Sequence, residues 1–170
     1  FAVAMDIDGA GLPFLKNLTP KAGSKTVEEL REIKKIANRP FIIKGIMTAK
    51  GAIKARESGA DAIIVSNHGG RVLDQCAATA EVLPEIVDAV GGTIKILVDG
   101  GIRSGADILK ALGIGADGVV IARTFVIALY GGGEKGVKSY INQLGAELED
   151  AMTMCGVHSL KEINRDVVRF

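Results

Sequence analysis

The sequence predicts an α/β fold in which parallel strands alternate with helices. Three observations support this fold class. Short, continuous apolar runs recur along the first 121 residues, and such runs are typical of strands buried on both faces of a parallel sheet. The segments between the runs carry helical spacing with capping residues at their starts. A polar or charged residue directly follows each of the first four runs, and the fifth is followed by Ala122 and then Arg123.

Five strands are predicted, at residues 1–5, 41–43, 61–65, 94–98 and 118–121. The polar residues at their carboxyl ends are Asp6, Lys44, Ser66, Asp99 and Arg123. The carboxyl ends of parallel strands meet at one edge of the sheet, and in a (β/α)8 barrel that edge carries the active site. The five strand ends therefore predict a single site.

The helices are predicted from their capping residues. Thr26 and Glu29 form a capping box in front of a helix at 27–37, and Thr48 caps a helix at 49–57. Ser104 and Asp107 open a helix at 105–112. The other predicted helices are 77–90, 124–130, 134–155 after a glycine break at 131–133, and 159–164, which Ser159 caps.

An internal repeat indicates how much of a barrel is present. Lys54-Ala55 followed by Gly59-Ala60-Asp61 recurs as Lys110-Ala111 followed by Gly115-Ala116-Asp117, an offset of 56 residues (115 minus 59). Two strand–helix units of about 28 residues each suit a (β/α)8 TIM barrel of ~250 residues. Five of the eight strands are found, so we expect residues 1–170 to be the carboxyl-terminal part of one barrel domain. These would be about the fourth to eighth strands plus the carboxyl-terminal helices, with the amino-terminal part missing.

Composition excludes several classes of function. The net charge of +1 and the aromatic content of 4% give no footprint for nucleic acid or an anionic membrane. No segment approaches the ~20 consecutive apolar residues of a membrane span. Cys76 and Cys155 form no CxxC motif, and they favour buried thiols in a reducing cytoplasm over a disulfide framework. His68 and His158 lie far apart in the sequence, and no metal site is expected.

The run Ser66-Asn67-His68-Gly69-Gly70-Arg71 follows the third predicted strand. Its histidine and arginine offer a base that titrates near neutral pH beside a cation that can hold a carboxylate through two hydrogen bonds. Such a pair suits proton removal from an anionic substrate. The alternative is a surface turn that contains both residues by chance.

A second motif predicts a phosphate site. In the segment from Asp99 to Gly105, two glycines allow close backbone approach, and the predicted helix supplies N–H groups at its amino terminus. Arg103 adds a cation, and Arg123 follows the next strand. The loops after the last two barrel strands often bind phosphate. The alternative is a tight turn with two surface arginines.

Together these motifs resemble the FMN-dependent 2-hydroxy acid oxidases and dehydrogenases, a family that includes glycolate oxidase, lactate oxidase and flavocytochrome lactate dehydrogenase. The resemblance covers nearly the whole chain and rests on four segments. They are Lys44-Gly45-Ile46, Ser66 to Arg71 with Leu73-Asp74, Asp99-Gly100-Gly101-Ile102-Arg103, and Ala122-Arg123.

The resemblance implies FMN as the cofactor and a role for each motif. Lys44 and Ser66 would contact the flavin ring, His68 would be the catalytic base, and Arg71 would bind the substrate carboxylate. Asp6 lies where the family has an aspartate bonded to the histidine, although Asp8, two residues on, could carry that role instead. The phosphate would be held by Asp99, Gly100, Gly101, Arg103, Ala122 and Arg123.

The implied activity is oxidation of a small 2-hydroxy acid, such as lactate or glycolate, to a 2-oxo acid. The resemblance also implies a homo-oligomer, a tetramer in the family, and the cysteine usage noted above predicts a cytoplasmic location. The chain departs from the family at Ala122-Arg123-Thr124, where glycine, arginine and proline are usual. Two other interpretations stay open: another phosphate-binding barrel, such as a flavin-dependent isomerase, and a non-catalytic half barrel.

Overall fold

The computed structural model describes residues 1–15, 18–19 and 23–169. They form two compact units, Phe1–Gly100 and Gly101–Phe170. The first unit contains strands β1 (Val3–Asp6), β2 (Phe41–Ile46), β3 (Ala62–Val65) and β4 (Lys95–Val98), with helices α1 (Val27–Ala37), α2 (Ala49–Glu57) and α3 (Thr79–Val90). The second contains α4 (Gly105–Ile114), β5 (Gly118–Val119) and α5 (Arg123–Met154).

The four strands of the first unit pair in chain order, and every pairing is parallel. The apolar side chains of the inner strands are buried: Phe41, Ile43 and Ile63 are 0% exposed, whereas Val3 of β1 is 38% exposed. Removing a side chain of this size from water contributes about 1.5–3 kcal/mol. Burial on both faces explains why a continuous apolar run, rather than an alternating one, marked β3, in which all four residues are buried.

Capping fixes the starts of three helices as predicted. The Thr26 hydroxyl accepts from the Glu29 N–H at 3.2 Å, and the Thr26 N–H donates to Glu29 at 2.7 Å. The Thr48 hydroxyl accepts from the Gly51 N–H at 3.0 Å, and the Ser104 hydroxyl accepts from Asp107 at 3.2 Å. Each hydroxyl satisfies a backbone donor that the first helical turn leaves unpaired.

In the second unit, α4 packs against α5. An added Cβ on Gly105 would lie only 2.1 Å from the Leu148 nitrogen, so glycine allows the two backbones this close approach. The predicted glycine break is confirmed, because Gly133 has non-helical angles (φ 56°, ψ −143°) within α5. The expected α-helix at 159–164 is wrong. Only a short 3-10 turn, Leu160–Glu162, forms there.

The segment after β1 contains two 3-10 turns that the sequence did not predict, Asp8–Gly11 and Pro13–Leu15. The first of them positions a carboxylate discussed below. No helix in the part of the chain that the structure describes is long and apolar enough to cross a membrane.

Candidate active site

The carboxyl ends of the four strands in the first unit bring most of the expected side chains together. Asp6, at the end of β1, is the register partner of Lys44, near the carboxyl end of β2. Ser66 follows β3 and is fully buried, and Asp99 follows β4 with its N–H donating to the Val65 carbonyl at 3.0 Å. The predicted convergence of these strand ends is therefore present in the structure.

His68 occupies an unusual backbone conformation directly after this edge. Its φ of 55° lies in the left-handed region, which non-glycine residues seldom adopt and which occurs often at functional sites. The Ser66 hydroxyl accepts from the His68 N–H at 3.1 Å. Asn67 stabilises the turn, since its side chain accepts from the Gly70 N–H at 3.3 Å and donates to the Ala77 carbonyl at 3.3 Å. This role of Asn67 is not apparent from the sequence, because it depends on contacts that form only in the folded turn.

The carboxylate that contacts the histidine is Asp8. Its Oδ1 lies 3.1 Å from His68 Nδ1, and the two side chains are only 14% and 15% exposed. The expectation that Asp6 bonds the histidine is not met, because Asp6 Oδ1 instead lies 2.6 Å from Lys44 Nζ. The 3-10 turn after β1 carries Asp8 back over the strand edge, which places the second carboxylate at the imidazole.

Lys44 Nζ also lies 3.4 Å from His68 Nδ1. One ring nitrogen cannot donate to Asp8 and accept from Lys44 at the same time. The carboxylate is nearer and its charge favours an N–H donor, while the Lys44 ammonium is already paired with Asp6. We therefore assign the proton to Nδ1, which leaves Nε2 of the neutral ring as the proton acceptor.

Asp99 has a raised pKa because burial disfavours its charged form. A hydrogen bond from Ser66 and the charges of Lys44 and His68 act in the opposite direction, and the Asp8 carboxylate raises the pKa further. Asp99 Oδ1 is buried and has no hydrogen-bond partner among the described residues. Asp8 Oδ2 is likewise buried and has no hydrogen-bond partner among the described residues. These two oxygens could therefore accept hydrogen bonds from a bound molecule.

Arg71 ends the short turn that begins at His68. Its N–H donates to the His68 carbonyl at 3.4 Å. Its side chain is exposed, and none of the described residues accepts a hydrogen bond from its guanidinium. The structure thus places Arg71 beside His68 along the chain and leaves its cation available.

In the second unit, the start of α4 differs from the expected anion site. The N–H groups of Arg103 and Ser104 both donate to Asp107 Oδ2 at 3.0 Å, and the Gly105 N–H donates to Glu147 at 2.9 Å. Burial raises the pKa of Asp107, but the hydrogen bonds from Arg103 and Ser104 outweigh burial and leave the pKa lowered. The N–H groups of Arg103, Ser104 and Gly105, at the start of α4, are therefore occupied by carboxylates of the chain itself.

The start of α5 is more open. Its N-cap residue, Ala122, provides no side-chain hydrogen bond, and Arg123 is exposed. In the next position, the Thr124 hydroxyl oxygen is buried without a partner among the described residues. Gly101 has φ 80°, and an added Cβ there would meet nothing within 4 Å. These features suit an anion at the α5 amino terminus and the glycine turn.

Asp6, Asp8 and His68 also meet the distance criterion for a metal site, since their ligand atoms lie within 4.8 Å of one another. The positions of these three residues in the sequence do not predict the trio, because His68 lies 60 positions from Asp8. The Lys44 ammonium is 2.6 Å from Asp6, so a second positive charge at this position would be repelled. These three residues are therefore better suited to holding a proton than a metal ion.

Comparison with known proteins supplies a family. The family model described as FMN-dependent dehydrogenase matches residues 13–170. A 2-hydroxyacid oxidase from Dictyostelium discoideum is 46% identical over 145 residues, 85% of this chain and 37% of that protein. An L-lactate dehydrogenase from Xanthomonas euvesicatoria is 44% identical over 152 residues, 89% of this chain and 38% of that protein.

Among solved structures, a mandelate oxidase variant with a monooxide FMN adduct superposes with a TM-score of 0.83 at 37% identity, over 94% of this chain and 52% of that one. This likeness confirms the predicted fold class, the later part of a (β/α)8 barrel. The chain spans less than two-fifths of the length of the two curated relatives named above.

Proposed function

The chain belongs to the FMN-dependent dehydrogenase family, whose cofactor is FMN, and from that premise we propose that it carries the catalytic half of an enzyme that oxidises a 2-hydroxy acid to a 2-oxo acid. The observation that carries the proposal is the His68–Asp8 pair at the carboxyl edge of the sheet, with the available cation of Arg71 three residues after His68. The reaction removes two electrons and two protons from the substrate. FMN, when bound, would take up the electron pair and one proton, and a base of the chain would take up the other proton.

His68 is the proposed general base. With the Nδ1 proton donated to Asp8, Nε2 of the neutral ring can accept a proton from the substrate. Proton uptake makes an imidazolium, and the Asp8 carboxylate at 3.1 Å stabilises that charge. Because both side chains are largely buried, solvent screens this interaction only weakly.

Arg71 is the proposed carboxylate clamp. A 2-hydroxy acid carries its carboxylate one bond from the carbon that is oxidised, so a cation close to the base in the chain suits this substrate class. A guanidinium can form two parallel hydrogen bonds with a carboxylate, which fixes orientation as well as position.

Lys44 and Ser66 are the proposed contacts for the flavin ring in the first unit, and the buried free oxygen of Asp99 is a further acceptor there. Lys44 is 18% exposed and lies near the carboxyl end of β2, where its ammonium favours negative charge on a neighbouring group. Asp6, paired with Lys44, holds the ammonium in place.

In the second unit, the residues present fit a phosphate. Gly101 offers open backbone, Ala122 leaves the amino terminus of α5 uncapped, and Arg103 and Arg123 are exposed cations. We assign the phosphate group of FMN to these residues. The unpartnered Thr124 hydroxyl adds a donor that a proline could not supply.

The test is spectroscopic. The purified protein is loaded with FMN, and glycolate, L-lactate and (S)-mandelate are added in turn without oxygen. We expect the oxidised flavin absorbance to bleach with at least one of them, with one 2-oxo acid formed per flavin. Full FMN occupancy with no bleaching by any 2-hydroxy acid would refute the proposal in favour of an isomerase or a non-catalytic half barrel.

A further inference from the structure

Gly45 interrupts β2 at the active edge. The register between β2 and β3 shifts between Lys44 and Ile46, so Gly45 is the extra residue of a β-bulge. Its φ of 98° lies in the region that favours glycine. The bulge lies between Lys44, which is paired with Asp6, and Ile46, which is register partner to Val65.

Asp8 lies directly against this glycine. An added Cβ on Gly45 would lie 2.7 Å from Asp8 Cγ, 2.8 Å from Asp8 Cβ and 3.0 Å from Asp8 N. Heavy atoms do not approach so closely without a shift. Because the Asp8 backbone nitrogen is among the three atoms, rotating the aspartate side chain would not relieve the whole contact.

We propose that Gly45 is a positioning residue: the missing side chain leaves the space from which Asp8 reaches His68 Nδ1. Any larger residue at position 45 must displace Asp8, and a shift of several tenths of an ångström disrupts a hydrogen bond of 3.1 Å. The contact itself follows from the geometry of the first unit. Its catalytic consequence rests on the proposed function.

Other glycines show that positive φ alone does not explain this position. Gly92 also has a positive φ, 74°, yet an added Cβ there would meet nothing within 4 Å. Gly92 lies in the turn between α3 and β4. Gly92→Ala therefore reports the backbone cost of a side chain at positive φ without any contact, and it is the matched control for Gly45→Ala.

The experiment reads the histidine directly. The chain has two histidines, so ¹⁵N-labelled imidazole signals can be assigned to His68 with a His158→Gln variant. At a pH where the ring is neutral, we expect distinct shifts for a protonated Nδ1 and an unprotonated Nε2. Gly45→Ala should move them toward the averaged shifts of the Asp8→Ala variant, and Gly92→Ala should leave them unchanged. Unchanged His68 shifts in Gly45→Ala, with a clear change in Asp8→Ala, would overturn the proposal.

A second variant covers the case in which Gly45→Ala does not fold. Asp8→Gly removes two of the three contacting atoms, so the double variant Asp8→Gly/Gly45→Ala should fold, with a loss of stability relative to Asp8→Gly close to the positive-φ cost that Gly92→Ala measures. If the double variant also fails to fold, the Asp8 side chain is not what excludes a larger residue at position 45, and this result would count against the proposal. The rate of flavin reduction separates the claim that Gly45 positions Asp8 from the claim that the Asp8–His68 pair is catalytic. We expect Gly45→Ala to slow flavin reduction about tenfold or more. Altered shifts with normal reduction would support Gly45 as the positioning residue and refute the catalytic role of the pair.

Discussion

The assignment of the catalytic carboxylate predicts unequal effects for two isosteric substitutions, Asp8→Asn and Asp6→Asn. Asp8 and His68 are 14% and 15% exposed, so their hydrogen bond belongs to the charge-assisted, poorly screened class worth about 1.5–3 kcal/mol. That bond strengthens when His68 becomes an imidazolium. At 1.4 kcal/mol per factor of ten, Asp8→Asn should slow flavin reduction by about 10- to 100-fold.

The corresponding loss for Asp6→Asn should be smaller. Asp6 is 46% exposed and pairs with Lys44, and exposed ion pairs contribute about 0–1 kcal/mol, which corresponds to about fivefold or less. The assay is anaerobic stopped-flow reduction of FMN-loaded protein by a saturating 2-hydroxy acid. Flavin occupancy, measured for each variant, is the control. A larger loss in Asp6→Asn than in Asp8→Asn would refute the assignment and restore the expectation drawn from the family pattern.

Three further substitutions test the rest of the site. Arg71→Lys should weaken binding of the 2-hydroxy acid more than that of FMN, because an ammonium lacks the bidentate geometry; substrate titration of flavin absorbance measures it. Arg103→Ala combined with Arg123→Ala should release FMN while sparing riboflavin, which lacks the phosphate; fluorescence titration with both ligands compares them. Asp99→Asn should raise the free energy of unfolding of the flavin-free protein at neutral pH, as measured by urea denaturation across pH. Because the pKa of Asp99 is raised in the native state, the native state binds more protons than the unfolded state. The free energy of unfolding of the wild type therefore falls as pH rises from the pKa of Asp99 in the unfolded state to its higher pKa in the native state. The difference in free energy of unfolding between Asp99→Asn and the wild type should grow over that pH range and stay constant above it.

Each of these has a clear contrary result. Unchanged substrate affinity in Arg71→Lys would argue against the clamp. Equal loss of FMN and riboflavin would mean that the arginines act through folding rather than through phosphate. A pH-independent difference between Asp99→Asn and wild type would mean that Asp99 carries no burial penalty in the native state.

Local chemistry accounts for what the sequence could predict. The helices at 27–37 and 49–57 have the predicted bounds because Thr26 and Thr48 fix their starts through side-chain hydrogen bonds that depend only on nearby residues. The continuous apolar runs located the buried strands for a similar reason. A run between two polar segments has few other ways to bury its side chains.

The rest depended on contacts between distant segments. Asp8 and His68 are separated by 60 positions, and nothing near Asp8 in the sequence favours it over Asp6 as the histidine's partner. The bulge at Gly45, against which Asp8 lies, extends β2 beyond the predicted 41–43 to Phe41–Ile46. At the start of α4, the pairing of the Gly105 N–H with Glu147 joins residues 42 positions apart and removes a donor that the motif had offered to phosphate.

The central claim is that His68 removes a proton from the substrate, and single-turnover flavin reduction in His68→Gln tests it most directly. Loss of a general base typically costs ~10²- to 10⁴-fold in rate. The variant should bind FMN as wild type does, because His68 is not among the residues assigned to the cofactor. We predict that reduction by a 2-hydroxy acid falls by that factor at unchanged flavin occupancy. Near-normal reduction in His68→Gln would contradict the account.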